Sequence, residues 1–357
     1  MKSDGLASQI ANYWSAPSEL PQLPKWRQLV EMALLYFLRK NGPGYYVQAR
    51  WGRASIPFQD KWQHINRTEY RQLVSRLNPG AYQKSSQHKL IEKSVLTLQR
   101  LPTPAFIGFV HPLRGKCAQG DPVRNPDQLR QLLARHAGQR VCFKHVEGWG
   151  GYGFASYRIA LVDGAVQLAR KEGEAPLTVD AWWQINGQNQ DGFLLESHLE
   201  QHPDMAALNE SSVNTIRIWV ILEGDHWSVL GGYLRVGRKG SQVDNNSSGG
   251  IACPVDVESG KVREAFDPAR AGHALTLHPD SRIALVGFQI PFWREATKLA
   301  GEAVAAFPQT RLAGLDMAIT PNGPSLIELN VMADYIGCAW MDLPLNARLQ
   351  SSGAVQS

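Results

Sequence analysis

The chain has 357 residues, 43% hydrophobic and 19% charged, enough apolar material for a sizeable core and, by length, for two or three subdomains. Its 32 glycines and 21 prolines are dispersed, which excludes a low-complexity chain. Its longest obvious apolar run, Met32 to Leu38, is far short of the ~20 residues a membrane-spanning helix needs.

The net charge of +5 hides an asymmetry. Residues 1–140 carry 21 Lys and Arg against 8 Asp and Glu, a balance of +13, while the remainder carries 16 against 24, or −8. A basic first part suits nucleic acid, anionic lipid or an anionic substrate, or a basic subdomain docked on an acidic one. No basic block or RNA-binding motif accompanies it, so no DNA partner is expected. Cys117, Cys142, Cys253 and Cys338 include no C-x-x-C pair, and the start Met1-Lys2-Ser3-Asp4-Gly5 lacks an apolar signal core. Reduced thiols in a cytoplasmic protein are the expectation.

In chain order, residues 22–40 predict a helix with an apolar stripe of Val30, Leu34, Leu35 and Leu38, stopped by Asn41-Gly42-Pro43-Gly44. Residues 66–77 predict a second, capped by Asn66 or Thr68 and ended by Asn78-Pro79-Gly80, and residues 88–101 a third. From about residue 104, strands alternate with helices. Residues 105–110, 140–146 and 193–196 read as strands, and Asn125-Pro126 opens a helix to residue 137. Residues 157–169 read as a hairpin turning on Asp163-Gly164. Residues 215–236 form another around Glu223-Gly224-Asp225, residues 291–307 a helix, and residues 312–330 a last hairpin. The tail from Gln350 is polar and predicts disorder.

The strongest chemical signal lies in that last hairpin, where Asp316, Glu328 and Asn330 stand in apolar strands. Burying an unpaired charge is costly, so such strands seldom carry carboxylates without a reason. Glu328 and Asn330 are two apart and share a face. A three-residue loop of Pro321, Asn322 and Gly323 would pair Asp316 with Glu328. Two carboxylates and an amide oxygen make a hard-cation site suited to Mg²⁺, which usually keeps phosphate oxygens as further ligands.

Lys144 lies in the apolar strand 141–146, directly before a loop with Gly148, Gly150, Gly151 and Gly153. Glycines free backbone N–H groups to surround phosphate, and a lysine adds a point charge. The G-x-G-x-x-G spelling would mean a dinucleotide site only if a helix followed, and a strand is expected instead. No H-R-D, D-F-G or G-x-x-x-x-G-K-[ST] occurs. Arg217 and Arg235 each sit within an apolar strand, upstream of the uncharged run Asn245 to Gly250. Arginines there either grip phosphate or carboxylate in a cleft or pair with acidic neighbours.

This order of lysine strand, glycine loop, short glutamate strand, arginine hairpin and D…E-x-N hairpin resembles the ATP-grasp superfamily. The resemblance is closest to its sugar-transfer-associated group, through Asn214-Thr215-Ile216-Arg217, Leu234-Arg235-Val236-Gly237, Asp244 to Ile251, His278-Pro279-Asp280, Ile290-Pro291 and Gly314-Leu315-Asp316. Leu315 departs from it, standing where an aromatic residue is expected. The resemblance covers about 84–340 and implies an α+β fold of two subdomains clasping ATP behind a mainly helical N-terminal region. It divides the chain into a helical region 1–101, a central lid subdomain 102–198, a core subdomain 199–348 and a tail 349–357.

It also implies residue roles. Asp316, Glu328 and Asn330 would hold Mg²⁺, two ions being expected, and Lys144 with Lys89 or Lys93 would bind ATP phosphates. The adenine hinge would be Glu196-Ser197-His198-Leu199, with Glu200 on the ribose. Arg217, Arg235 and Asn245 would serve catalysis. The implied function is an ATP-dependent carboxylate–amine ligase acting through an acyl phosphate, its glycine loop closing as a lid. Small-molecule carboxylate and amine substrates are implied, with an anionic or sugar-linked acceptor among the candidates. A kinase on the same scaffold, or a non-catalytic nucleotide-binding module, would use many of the same residues.

Overall fold

The computed structural model describes residues 6–15, 20–148, 152–170, 173–244, 249–270 and 273–352. Helices α1 (Leu6–Ser15), α2 (Lys25–Arg39), α3 (Pro43–Gln48), α4 (Phe58–Trp62), α5 (Arg67–Leu77), α6 (Gly80–Gln87) and α7 (Lys89–Leu98) precede the first strand. Strands β1 (Phe106–Val110), β2 (Lys116–Cys117), β3 (Arg140–His145), β4 (Phe154–Val162), β5 (Ala165–Ala169), β6 (Leu177–Thr178) and β7 (Phe193–Ser197) follow, with helices α8 (Pro126–Ala134) and α9 (Val179–Asn186) among them. After α10 (Pro203–Leu208) come β8 (Thr215–Glu223), β9 (His226–Val236), β10 (Ile251–Pro254), β11 (Phe266–Asp267) and β12 (His273–Ala274). Helix α11 (Trp293–Ala306), β13 (Leu312–Thr320), β14 (Gly323–Asn330), α12 (Ile336–Met341) and α13 (Leu345–Ser352) complete the order. The α+β class and the helical N-terminal region are as expected, and no helix among the described residues is long and apolar enough to cross a membrane.

The chain divides into two compact units. The first gathers Met1–Gln83, Gln201–Pro324 and Leu329–Ser357, and the second Lys84–Glu200 and Ser325–Glu328. The N-terminal helices are therefore shared out: α1 to α5 group with the C-terminal sheet, and α7 with the other unit.

In the second unit the strand order is β2-β1-β7-β3-β4-β5-β6. Alternation along each strand sorts the side chains between two faces. Val141 and Phe143 of β3 join Ile159 and Leu195 under Leu129 and Leu133 of α8 and Trp182 of α9. Cys142 and Lys144 take the opposite face, where Glu196 of β7 stands across from Cys142. Asp163 and Gly164 carry φ of 49° and 78°, the two positive values of the expected primed turn.

In the first unit the order is β12-β11-β10-β9-β8-β13-β14. Trp219, Ile221 and Tyr233 of this sheet pack with Tyr70, Leu73, Val74 and Leu77 of α5. Asn66 caps α5 in a full capping box with Glu69. Asn78, expected only as a stop, is buried. Its Nδ2 donates to Leu312 O at 2.6 Å and Val331 O at 2.7 Å, and its Oδ1 accepts from Arg311 N at 2.9 Å and Leu312 N at 3.1 Å.

Three expectations need correction. The stripe on α2 does not face the core: Val30, Leu34 and Leu38 are exposed, and Leu35 alone of the four is buried. Its buried neighbours Gln28 and Glu31 find polar partners inside, which lets a polar face turn inward. The last hairpin turns on Pro321 and Asn322 alone, because Gly323 already belongs to β14, so the argument for pairing Asp316 with Glu328 loses its basis. Chain order past residue 349 continues as helix to Ser352, because Leu349 is buried in the α5 cluster.

Replacing Asn78 with alanine removes four hydrogen bonds and leaves buried backbone groups unpaired. The substitution should cost about 3 kcal/mol or more, read as a lower urea midpoint for the first unit.

Candidate functional site

Each unit gathers predicted residues around one buried carboxylate. In the second unit that carboxylate is Glu196, 2% exposed. Lys144 Nζ lies 2.6 Å from its Oε2, and Lys93 pairs with its Oε1. Lys93 also donates to Thr103 Oγ1 at 2.6 Å and to Pro104 O at 2.7 Å, so its three protons are taken. Burial works to raise the Glu196 carboxyl, but Lys144 and Lys93 outweigh it and hold it below the usual range. Burial prevails at Lys93 and lowers it, whereas at Lys144 the pull of Glu196 overcomes burial and raises it. Lys144 is the firmer cation.

Lys89 opens α7, and its backbone N–H bonds to Val146 O at 3.0 Å, tying the helix start to the end of β3. Its Nζ donates to Gly148 O at 2.8 Å and to Glu328 Oε1 at 2.9 Å. Among the described residues the next element after β3 is the strand β4, not the helix that the dinucleotide reading requires. Gly153 has φ of 72°, and a Cβ there would fall 2.0 Å from the His145 ring. Gly150 and Gly151 lie outside the described residues.

The expected hinge follows β7. Ser197 N–H is committed to Ala105 O and His198 N–H to Arg140 O, so among these residues backbone donors for a base would begin at Leu199. Leu199 is half-buried and Glu200 exposed.

In the first unit the carboxylate is Asp316, 5% exposed. It stands opposite Arg217 across β13 and β8. Arg217 grips it with two bonds of 2.6 Å, from Nε and Nη2. Arg235 Nη2 adds a contact at 2.8 Å. Burial would raise this carboxyl, yet Arg217 and Arg235 hold it down at about 2. Arg235 also donates to Thr215 Oγ1 at 2.6 and 2.8 Å. That hydroxyl in turn donates to Asp244, which accepts the Thr215 N–H at 2.8 Å as well. At Asp244 burial wins over Arg235 and raises the carboxyl. Catalytic and metal candidates thus form one network here, and the arginines have the acidic partners that the alternative reading required. Asn245 lies outside the described residues.

Other motif residues brace this network. Asn214, fully buried, donates to Gln201, Met205 and Asn209 and accepts from Gly237 N. His278 bonds Gly237 O at 3.0 Å, and Asp280 takes Arg238 with two bonds, of 2.8 and 3.0 Å. A Cβ at Gly237 would lie 2.1 Å from Ser212 Oγ, so glycine is required there. Thr215 and Asp244 were missing from the expected site, although both stand within motif segments beside residues that were named.

Among the described residues no three His, Cys, Asp or Glu gather in a group that could hold a metal ion. Of the expected magnesium set, Asp316 and Asn330 belong to the first unit and Glu328 to the second, and each carries the hard oxygen donors that magnesium prefers. Asn330 Nδ2 is buried without a hydrogen-bond partner, so no internal bond fixes its carboxamide through that atom.

A family model described as sugar-transfer associated ATP-grasp matches residues 68–351. A search of curated proteins returns no match. Among solved structures, the chain is similar to an N5-carboxyaminoimidazole ribonucleotide synthetase in its ADP complex, at 14% identity and a TM-score of 0.39, covering 70% of this chain and 45% of that one. An L-amino acid ligase from Bacillus licheniformis matches at 13% identity and 0.38, covering 75% and 48%. D-alanyl-alanine synthetase A from Vibrio cholerae O1 biovar eltor matches at 10% and 0.43, covering 76% and 66%. The chain therefore spans about half the length of the first two.

Asp316→Asn would leave two buried guanidinium groups short of their counterion and should cost about 3–5 kcal/mol. Because the folded carboxyl sits at about 2 against an ordinary 3.8, its contribution is complete above pH 3.8 and is lost as pH falls towards 2. Acid unfolding of the wild type over that window should be steeper than that of the variant.

Proposed function

The chain belongs to the sugar-transfer associated ATP-grasp family, and we propose that it is an ATP-dependent ligase joining a carboxylate to an amine or similar nucleophile. The observation that carries this reading is the lysine set of the second unit. Lys93 and Lys144 share Glu196, and Lys89 reaches the carbonyl of Gly148. Ammonium groups beside a glycine-rich turn suit a polyphosphate, since cations and free N–H groups together offset its charge.

In this reading Lys144 and Lys89 take phosphate oxygens, and Lys93, whose protons are already spent, orients Glu196. Gly148, Gly150, Gly151 and Gly153 supply close-approaching backbone, and Leu199 and Glu200 serve the base and ribose. Asp316, Glu328 and Asn330 would hold magnesium, which when bound supplies positive charge to the phosphates. Arg217 and Arg235 stabilise charge on the transferring group, with Asn245 and the N–H groups of Gly249 and Gly250 near the developing oxyanion. The substrate carboxylate oxygen bonds to the γ-phosphorus as the bond to ADP breaks. The amine nitrogen then displaces phosphate from the acyl carbon. An anionic or sugar-linked acceptor, handled in the cytoplasm, fits the chain's basic balance.

The deciding experiment supplies Mg-ATP with pooled carboxylates, with and without pooled amines, and quantifies ADP and free phosphate together. Amine-dependent release of both is expected. ADP with a phosphorylated product and no free phosphate would mean a kinase, and nucleotide binding without turnover a binding module.

Two substitutions separate the roles. Lys144→Met should weaken nucleotide binding at least about tenfold by calorimetry. Glu328→Gln should lower kcat on the order of a hundredfold and raise the Mg²⁺ concentration for half-maximal activity. An unchanged magnesium requirement would remove Glu328 from the metal set.

A further inference from the structure

Helix α2 turns its polar side inward. Gln28 and Glu31 are buried with Met32 and Leu35. Glu31 accepts from Lys61 Nζ at 2.6 Å and from Tyr46 Oη at 3.0 Å, and Gln28 bonds Leu23 O at 2.7 Å and the Trp14 ring N–H at 3.0 Å. These bonds fix the helix's rotation about its own axis. The consequence is an apolar outer face: Trp26, Leu29, Val30, Leu34, Phe37 and Leu38 are 42–68% exposed. At 100° per residue they fall within about one half of the wheel, which Ala33 and Arg27 share with them. Scattered exposed apolar residues need no explanation, but six on one face of one helix mark an interaction surface.

The border of this face is basic. Lys25 and Arg27 are exposed at one end of α2, Arg27 also bonding Glu31 Oε1 at 3.3 Å, and Lys40 is exposed at the other. Arg67, also exposed, opens α5, whose cap Asn66 bonds Arg39 O at 3.1 Å. The one acid of α2, Glu31, lies on the buried side. Charge decides the occupant. A second copy paired symmetrically through this face would set Lys25 and Arg27 against either themselves or the cationic far end, cation on cation in both directions. A layer of anionic lipid headgroups answers both features, taking the cations at the border and the apolar arc between them.

We propose that α2 is a docking element that lies in the plane of an anionic membrane surface, with Trp26 and Phe37 entering the boundary between headgroups and acyl chains. Its 15 residues would lie along about 22 Å of that surface. The docking is reversible and peripheral, because the apolar arc is shallow and the attraction is shared with charge.

The full chain is sedimented with vesicles of phosphatidylcholine alone and of equal phosphatidylcholine and phosphatidylglycerol, at low and high salt. It should pellet with the anionic vesicles, weakly or not at all with the neutral ones, and less at high salt. The double substitution Trp26→Ser, Phe37→Ser should lower the vesicle partition coefficient at least about tenfold. Thermal unfolding and nucleotide binding should not change, since both side chains are outside the core. Lys25→Glu with Lys40→Glu should abolish the preference for anionic lipid. Absence of binding to anionic vesicles would overturn the proposal, as would full binding by the serine variant. A dimer in light scattering that the serine variant dissolves would overturn it in favour of a second copy.

Discussion

A buried carboxylate shared by two cations is the interaction on which this structure depends. Among the described residues it occurs at Glu196, Asp316 and Glu31, and the half-buried Glu264 repeats it. Glu196 lies between Lys93 and Lys144, and Asp316 between Arg217 and Arg235. Glu264 is held by Arg50 and Arg53, and Glu31 by Lys61 and Arg27. At Glu196 and Glu31 two cations face one carboxylate, whereas Arg235 also meets Asp244 and Arg53 also meets Asp342, so the burial cost is shared among more acids there. At Glu31 the group ties α2 to Lys61 of α4 and Tyr46 of α3, and at Glu264 it ties the segment between β10 and β11 to Arg50 and Arg53, which follow α3. At Glu196 the group ties β7 to β3 and α7, and at Asp316 it ties β13 to β8 and β9.

The same constraint accounts for the charge asymmetry of the chain. Arg50 and Arg53 come from the basic first part, and their partners Glu264 and Asp342 from the acidic remainder. Part of the basic excess is thus consumed inside the first unit, as a basic layer on an acidic one. Another part stays outside, at Lys25, Lys40 and Arg67, around an apolar arc that the core has declined. Neither a single basic domain nor a uniformly charged surface describes the result.

The family motifs separate into two kinds of work. Lys144, Arg217, Arg235 and Asp316 carry charge at strand positions fixed by register. Asn214, Gly237, His278 and Asp280 hold backbone instead. They knot the ends of β8 and β9 to neighbouring loops through hydrogen bonds, buried at Asn214, Gly237 and His278 and exposed at Asp280. A residue can recur in a family motif because backbone must be held, and polar side chains with several donors and acceptors hold it well.

Local chemistry was legible in the sequence. Capping at Asn66 and Asn125, the turn at Asp163-Gly164, the alternating strands and the charged residues within them all follow from spacing and side-chain type. So did the α+β class, since helical and strand periods exclude each other over a given segment. Short elements such as α3, α4, α6, α10, β11 and β12 were not legible, because so few residues give no period to read. Which way α2 faces was decided by tertiary structure: its wheel has an apolar stripe, yet Lys61, Tyr46 and Trp14 offer its polar side better partners inside. Tertiary structure also joined Arg217 to Asp316, 99 residues apart, and Lys89 to Glu328, 239 apart. The sequence by itself determined which side chains carry charge into apolar strands. Their partners were settled only by folding, because the cost of burying a charge names the need for a counterion and not its address.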